Sequence, residues 1–406
     1  MILTVNLGNT HITIGGYEHD DLKFCGRLHT DPAATVDEYG LRLLNLLSLH
    51  GASPEQIEGG ILGSVVPALT GRVLAALQML CPVRILTVGQ NDAGQRLDKF
   101  LQKALYGMPQ SLMYRLIRQK KIKVNRKRAE GGQMLSEGDT VQLFIAEDFF
   151  TGGERKGSES ELSRVHPNLD IVYEDANILL LNKRPGVLVH DDAEGQSDTL
   201  LLHAKAYLYQ KGEYDPAAEQ SFAPALCNRI DRNTGGVVIL AKNAEALRVM
   251  NEKIRNGEVS KFYLAAVHGI LRKKSDTLLA WLKKNPATNT VKIYTASDKP
   301  RDAKRIATRY RVLAEKNGDS LIEVELLTGR THQIRAQFAE IGHPLLGDGK
   351  YGVNRDDRRR GYKFQALYAY RLRFDFADTT GALGYLCGKE YRLPEGAVWF
   401  VPDFME

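Results

Sequence analysis

The chain has 406 residues, 43% hydrophobic and 26% charged, with a formal net charge of +6. That length exceeds one compact core, so two to four domains are expected of an ordinary globular protein. No run approaches the ~20 apolar residues of a membrane-spanning helix, which excludes a membrane partner of that kind. Cys25, Cys81, Cys227 and Cys387 are scattered and form no CxxC pair, and the histidines lack metal-ligand spacing. The pattern reads as reduced thiols in a cytosol, with no metal or other cofactor called for. The opening MILTVNLGNT has neither a basic region nor a cleavable apolar core, so it does not read as an export signal and a cytoplasmic protein is expected. The charge is uneven. Residues 1–83 carry a net −4, residues 84–145 a net +7, and the remainder +3. One small segment therefore holds most of the excess positive charge, which points to a polyanionic partner.

In chain order, residues 1–82 read as strand, turn, strand, strand, helix, strand, helix. ILTVNL and HITIGGY flank the turn Gly8-Asn9-Thr10, LKFCGRL is a third strand, and VDEYGLRLLNLLSL has helical apolar spacing. GGILGSV and PALTGRVLAALQML supply a further strand and helix. The stretches TVNLGNTHITIGGYE and ILGSVVPALTGRVLAAL resemble the N-terminal half of the type III pantothenate kinases, an actin-like (ribonuclease H-like) fold. In that family a strand ends in Asp-x-Gly-Asn-Thr, with the turn cradling ATP phosphates and the carboxylate helping to hold the metal. Here Asn6 stands in place of the carboxylate, and the family's later motifs are absent. The resemblance therefore implies a truncated half-domain over residues 1–83.

Residues 84–147 form a smaller unit of two helical stretches, QRLDKFLQKAL and SLMYRLIRQK, followed by the short strands KIKVN and DTVQLFI. The preceding VRILTVG could serve either as another strand of the kinase-like half or as the first strand of this unit. Tyr114 to Arg128 carries eight Lys/Arg and no acid. Arg115, Arg118 and Lys121 fall at i, i+3 and i+6, and Lys120 and Lys123 extend the basic run into a turn and a strand. A basic run is often no more than a solvated face, but here it spans helix, turn and strand, which suits a phosphate backbone. RLDKFL, IRQKKIKVN and EGDTV resemble the alpha-L RNA-binding motif, known from a small-subunit ribosomal protein and from pseudouridine synthases. RNA is the partner implied. The polar, Gly- and Ser-rich FFTGGERKGSESELSR marks a linker over residues 148–167.

From residue 168 to 406, strands and helices alternate at mixed spacing, an α+β pattern around a large mixed or antiparallel sheet. In NRIDRNTGGVVILAKN, Asp231 lies between Arg229 and Arg232 ahead of a Gly-Gly turn and an apolar run. This is either a surface turn with an ion pair or a nucleophile held ionised by cations. NILLLNKRPGVLVH, SKFYLAAVHG and LLTGRTHQIRAQFAEIGHPLLGDGKYG complete the set. Together these stretches resemble the RluA-type pseudouridine synthases, which isomerise uridine in ribosomal and some transfer RNAs. The resemblance implies catalytic roles for Asp231, Tyr263 and Arg335. Asp231 matches the reacting carboxylate and Arg335 the arginine that pairs with it. Tyr263 matches the tyrosine that packs on uracil, with a possible role in accepting the C5 proton. Arg229 is implied in holding the target nucleotide out of its stack, and Arg330 and His332 in backbone contacts or pocket shape. Many members read His-Arg-Leu-Asp at the catalytic loop where this chain reads Asn228-Arg229-Ile230-Asp231, a change expected to bear on loop anchoring. The expected activity is isomerisation of uridines, foremost in large-subunit ribosomal RNA, with transfer RNA as the other substrate class. The alternatives are a non-catalytic RNA-binding or ribosome-assembly protein and a bifunctional relative of the pantothenate kinases.

Overall fold

The computed structural model describes residues 1–405 except 19–20, 58, 81–82, 106, 146–148, 150–158, 191–197, 217–218 and 395. They form two compact units, Met1–Glu154 and Arg155–Glu406. In the first, β1 (Ile2–Leu7), β2 (His11–Glu18), β3 (Asp21–His29) and β4 (Gly59–Ser64) form a sheet in the order β3-β2-β1-β4. Strand β1 pairs antiparallel with β2 and parallel with β4. The alternation of ILTVNL places Leu3, Val5 and Leu7 in a core completed by Tyr39, Leu43 and Val73 from α1 (Val36–Leu49) and α2 (Pro67–Leu80). Thr35 caps α1 reciprocally with Glu38, satisfying two of the free N–H groups at the helix start.

The strand VRILT, β5 (Val83–Thr87), belongs to the basic unit. It pairs with β8 (Thr140–Phe144) in the sheet β5-β8-β6-β7, where β6 is Ile122–Val124 and β7 is Lys127–Arg128. Helices α3 (Leu97–Ala104) and α4 (Gln110–Arg118) bury Leu97, Phe100, Leu101, Met113 and Ile117 against it. The buried Asp98 is satisfied by the Tyr114 hydroxyl at 2.6 Å and by the Arg96 guanidinium. Helix α4 stops at Arg118, and Lys120 takes a left-handed conformation with φ of 61°. Lys121 therefore follows a turn rather than continuing the helical face on which the i, i+3, i+6 spacing puts it. Arg115, Arg118, Lys120 and Lys121 are exposed, while Lys123 lies with its ammonium 5.1 Å from the Phe144 ring.

The second unit holds α5 (Glu159–Leu162), β9 (Ile171–Glu174), β10 (Ile178–Lys183), α6 (Leu200–Gln210), β11 (Ala225–Leu226) and β12 (Gly235–Ala241). Then come α7 (Ala244–Arg255), β13 (Val259–His268), β14 (Ser275–Asn285), β15 (Thr290–Tyr294), β16 (Lys304–Lys316) and β17 (Asp319–Leu326). Helices α8 (Gln333–Glu340) and α9 (Arg355–Arg359) precede β18 (Leu367–Phe374) and β19 (Glu390–Arg392). The strands form one eleven-stranded sheet in the order β15-β14-β16-β17-β13-β18-β12-β10-β9, with β11 on β12 and β19 on β18. Every ladder is antiparallel except β12 with β18. Much of the stretch expected as a linker, residues 150–158, lies outside the described residues. Its end, however, is α5, and Leu162 is fully buried in the second unit's core. The packed unit thus begins before residue 168, because one apolar side chain in a polar run finds a core to enter.

Both faces of this sheet are covered, so its central strands are apolar on both sides. On β13, Phe262, Leu264 and Ala266 enter one core with α7 and the C-terminal Phe400 and Phe404. Tyr263, Ala265 and Val267 enter the other with α6 and with Ile334 and Phe338 of α8. The Gly-Gly turn of the sequence sits where β12 meets β18. Gly236 has φ of 120°, and a Cβ there would lie 2.2 Å from the Ala369 carbonyl oxygen. Glycine is required by both conformation and space. Replacing Gly236 with alanine is expected to destabilise the unit by more than about 3 kcal/mol, from clash and strain together. Thermal unfolding of the variant against wild type measures this, and an unchanged Tm would contradict the close approach.

Candidate active site

The Asp231 loop is a short turn closed by the Thr234 N–H on the Asp231 carbonyl at 3.0 Å. The buried Thr234 hydroxyl accepts a hydrogen bond from Gln365 at 3.1 Å. At the other end, the Asn228 side-chain oxygen accepts the Ile239 N–H at 2.8 Å. The residue that departs from the resembled family's pattern therefore ties the loop to β12. A third anchor comes from Lys183, which is 1% exposed at the end of β10. Its ammonium donates to the carbonyls of Arg184 (3.0 Å), Val187 (2.8 Å) and Arg232 (2.8 Å). Burial pushes Lys183 down to about 7, with the Asp231 charge opposing. Three carbonyl acceptors nonetheless match the three protons of an ammonium, which fixes the KRPGV turn against the Asp231 loop. Arg232 completes that contact by donating to the Gly186 carbonyl at 3.1 Å. A cleft of about 470 Å³ bordered by Asp170, Lys183, Arg184, Asp198 and Arg232 lies behind this anchor and is lined by neither Asp231 nor Tyr263.

The cation that meets Asp231 comes from far along the chain. Arg335 of α8 donates from Nη1 to Asp231 Oδ2 at 2.8 Å. Its Nε and Nη2 form a bidentate pair with Asp348 at 2.6 and 2.8 Å. Asp348 has a fully buried side chain, and its Oδ1 also accepts the Lys350 N–H. Burial works to raise the Asp348 carboxyl, but the hydrogen bonds and charge of Arg335 hold it below its ordinary value. Burial likewise opposes the Arg335 charge, and Asp348 with Asp231 overcomes it and raises that guanidinium further. Asp231 itself is about one-quarter exposed. Its Oδ2 is held, and its Oδ1 has no hydrogen-bond partner among the described residues.

His332 starts α8 in a left-handed conformation, φ 52°, and its Nε2 lies 3.8 Å from Asp231 Oδ2. The Tyr351 hydroxyl accepts the Val291 N–H at 2.9 Å and shares a 2.8 Å hydrogen bond with His332 Nδ1. That contact fixes the plane of the imidazole and leaves Nε2 facing Asp231. Burial lowers His332 to about 4, against the Asp231 charge, so the ring is neutral near pH 7. The turn before α8 is locked by the buried Gln333. It accepts from the Arg330 N–H and the Thr328 hydroxyl, and donates to the Ala307 carbonyl and the Thr308 hydroxyl. Tyr263 projects from β13 into the same core, buried. Burial, with the Asp231 charge adding, pushes its phenol well above the ordinary value. The phenol therefore keeps its proton near pH 7 and presents its ring to the site.

The structure thus brings Asp231, Arg335 and His332 together, with Tyr263 close enough to feel the Asp231 charge. Arg229 and Arg330 are exposed, and the Arg229 guanidinium makes no ion pair among the described residues. Lys183, Asp348 and Tyr351 were not singled out from the sequence. Their motifs, NKRPG and GDGKYG, read there as a turn and a Gly-rich loop. A buried polar residue within such a motif is the only local signal, and burial is not visible in a short stretch. In the first unit, Asn6 is exposed on β1, beside a turn closed by Gly8 N–H on the His11 carbonyl.

The second unit is thus an α+β domain whose large sheet holds a loop carboxylate, paired with a buried arginine, near a buried tyrosine. Residues 177–340 match the RNA pseudouridylate synthase family, residues 95–141 the S4 domain, and residues 2–102 type III pantothenate kinase. Over 306 residues the chain is 33% identical to the ribosomal large subunit pseudouridine synthase C of Salmonella typhi, covering 73% of this chain and 90% of that one. The protein of the same name from Escherichia coli strain K12 is 32% identical with the same coverage. Among solved structures, human RNA pseudouridylate synthase domain containing 1 aligns at 24% identity with a TM-score of 0.43, covering 58% of this chain and 94% of that one. The chain belongs to the RNA pseudouridine synthases, and it is an isomerase with an S4 RNA-binding domain and a pantothenate-kinase-like N-terminal region. No helix among the described residues is long and apolar enough to cross a membrane.

Two predictions follow from the anchors. Lys183→Met keeps the stem and leaves three carbonyls without their donor, which should cost at least about 3 kcal/mol of stability. It should also lower turnover at least ten-fold, read by denaturant unfolding and by kinetics on the folded fraction. His332 is neutral in the fold above about pH 4, whereas the unfolded residue protonates below its ordinary 6.5. The unfolded state thus binds more protons between these values, so stability is lost as pH falls from 6.5 to 4, on the order of 3 kcal/mol. His332→Gln should flatten that part of the stability–pH curve, and an unchanged slope would remove His332 as its source.

Proposed function

We propose that this chain converts uridine to pseudouridine in large-subunit ribosomal RNA, with Asp231 as the reacting carboxylate. The observation that carries this reading is the split environment of Asp231, with Oδ2 fixed by Arg335 and Oδ1 accepting no hydrogen bond among the described residues. In the reaction the N1–C1′ bond breaks, the base turns, and a C5–C1′ bond forms. The C5 hydrogen leaves as a proton and N1 gains one, so no electrons are exchanged. A carboxylate serves this either by attacking the sugar or base or by removing a proton from the sugar. Both routes need an oxygen that is held in place by a cation and still free to react.

The other residues take supporting roles. Arg335 positions and balances Asp231. Tyr263 supplies a ring wall for the uracil, and the neutral His332 shapes the pocket through Tyr351. Exposed Arg229 holds the target nucleotide out of its stack, since a base within a helix cannot reach the Asp231 carboxylate. Arg330 contacts the backbone. In the S4 domain, Arg115, Arg118, Lys120, Lys121 and Lys123 bind phosphates, with Lys123 the more restrained because of its seat over Phe144. The large-subunit reading follows the names of the relatives, which are synthases of that subunit.

Tritium release from RNA labelled at uridine C5 tests this, with unmodified large-subunit ribosomal RNA and bulk transfer RNA offered separately. Wild type should release tritium from the ribosomal RNA, and Asp231→Asn, which keeps the shape and loses the charge, should be at least about a thousand-fold slower. Release from transfer RNA alone would move the substrate class. Equal rates for the two proteins would end the role given to Asp231.

A further inference from the structure

The segment 281–305, WLKKNPATNTVKIYTASDKPRDAKR, carries seven Lys/Arg and two Asp, and the site described above uses none of these cations. It contains most of the β14–β15 hairpin and the entry to β16. Strand register sorts its side chains. Leu282, Val291 and Ile293 face inward and pack with Ala336 of α8. Trp281 stands opposite Tyr294 on one side and Arg305 on the other, and Lys283 stands directly opposite Lys292. These residues share the outward face, because alternate positions of a strand point the same way.

Lysines on an edge strand deter pairing with another chain, and that alone would explain Lys292 on β15. It does not explain two lysines placed directly across from each other, an arrangement that disfavours the hairpin. Nor does it explain two incompletely buried aromatic rings between them. Lys299 places its ammonium 4.8 Å from the Trp281 ring, and Lys292 lies 5.3 Å from the Tyr294 ring. Lys283 pairs with Asp302 at 3.0 Å, whereas Lys292, Lys299, Arg301 and Arg305 form no ion pair within 4 Å among the described residues, although Lys292 lies near enough to Asp298 to act on its carboxyl. Flat rings flanked by cations, most of them outside any ion pair, are the chemistry of single-stranded nucleic acid, where bases stack and phosphates meet ammonium groups. An acidic protein segment would satisfy the charges but would leave the two rings unused.

We propose that the outward face of the β14–β15 hairpin is an RNA-binding platform, formed by Trp281 and Tyr294 with Lys283, Lys292, Lys299 and Arg305. It takes a single-stranded stretch of the RNA substrate away from the target uridine. The identity of that RNA rests on the function proposed above; the platform itself rests on the register and charge of the hairpin.

The chain has two tryptophans, Trp281 and Trp399. In full-length Trp399→Phe protein, Trp281 is the sole indole, and its emission should be quenched on titration with single-stranded oligouridine and with unmodified large-subunit ribosomal RNA. Lys283→Ala/Lys292→Ala/Lys299→Ala should lower the salt slope of RNA binding by about 2, from ~0.7 per phosphate contact. Trp281→Ala should weaken binding roughly ten-fold, the scale of one stacked base. Both variants should raise KM for ribosomal RNA and leave kcat at saturating RNA unchanged. Unaltered Trp281 emission while the protein binds RNA, together with a wild-type salt slope in the triple variant, would overturn the platform. Quenching by an acidic polypeptide but not by RNA would overturn it in favour of a protein partner. Quenching by RNA without any tritium release from wild type would leave the platform standing and remove the isomerase reading instead.

Discussion

One buried guanidinium organises the catalytic unit. Arg335 is held on two of its nitrogens by Asp348 and offers the third to Asp231. Burying a charge in this way is costly, and breaking such a pair costs more than the pair contributes, because the remaining ion is left without a partner. The consequence is positional. Asp348 fixes the arginine, the arginine fixes Asp231, and three chain segments that are distant in sequence can meet in only one geometry. One cation between two carboxylates also leaves the cluster with residual negative charge. Asp348 is fully buried, whereas Asp231 is about one-quarter exposed, so Asp231 is the member of the cluster that meets solvent.

The sheet makes this geometry reachable. Tyr263 and the inner face of α8 meet because β13 sends alternate side chains into two cores. The Asp231 loop can enter beside β18 only because Gly235 and Gly236 leave room for the Tyr368 ring and the Ala369 backbone. Lys183 then ties that loop to the neighbouring turn through carbonyl groups alone, so the anchor works whatever side chains the turn carries. The first unit follows a different constraint. Its β5 pairs with the S4 sheet, which leaves β4 at the end of the kinase-like sheet. The same strand cannot complete both sheets, and hydrogen bonding to β8 decides between them.

What could be read from the sequence follows from how local each signal is. The strands and helices of residues 1–145 were legible because alternation and helical spacing act over a few residues, as in ILTVNL and the two S4 helices. The roles of Asp231, Tyr263 and Arg335 came from motif resemblance, and no periodicity would have found them. Arg229 and Arg232 adjoin Asp231 in sequence, yet among the described residues neither pairs with it: Arg232 donates to a carbonyl, and the pairing cation is Arg335, as the resemblance implied. Lys183, Asp348 and Tyr351 escaped for the converse reason: each acts through a partner that only tertiary structure supplies. The linker ending in Leu162 shows the same limit, as a polar composition conceals one apolar residue with a core to occupy.

The β14–β15 hairpin joins these themes. Its inward side packs on α8, and the Val291 N–H holds the Tyr351 hydroxyl, which in turn holds the His332 ring beside Asp231. Its outward side carries the aromatic and basic residues that suit a nucleic-acid strand. In a two-stranded ribbon the two faces cannot move independently, because they are alternate residues of the same backbone. The packing of Leu282, Val291 and Ile293 on Ala336 of α8 therefore fixes where the outer face stands, so the rings and ammonium groups are held in place by the core beneath them and not by RNA.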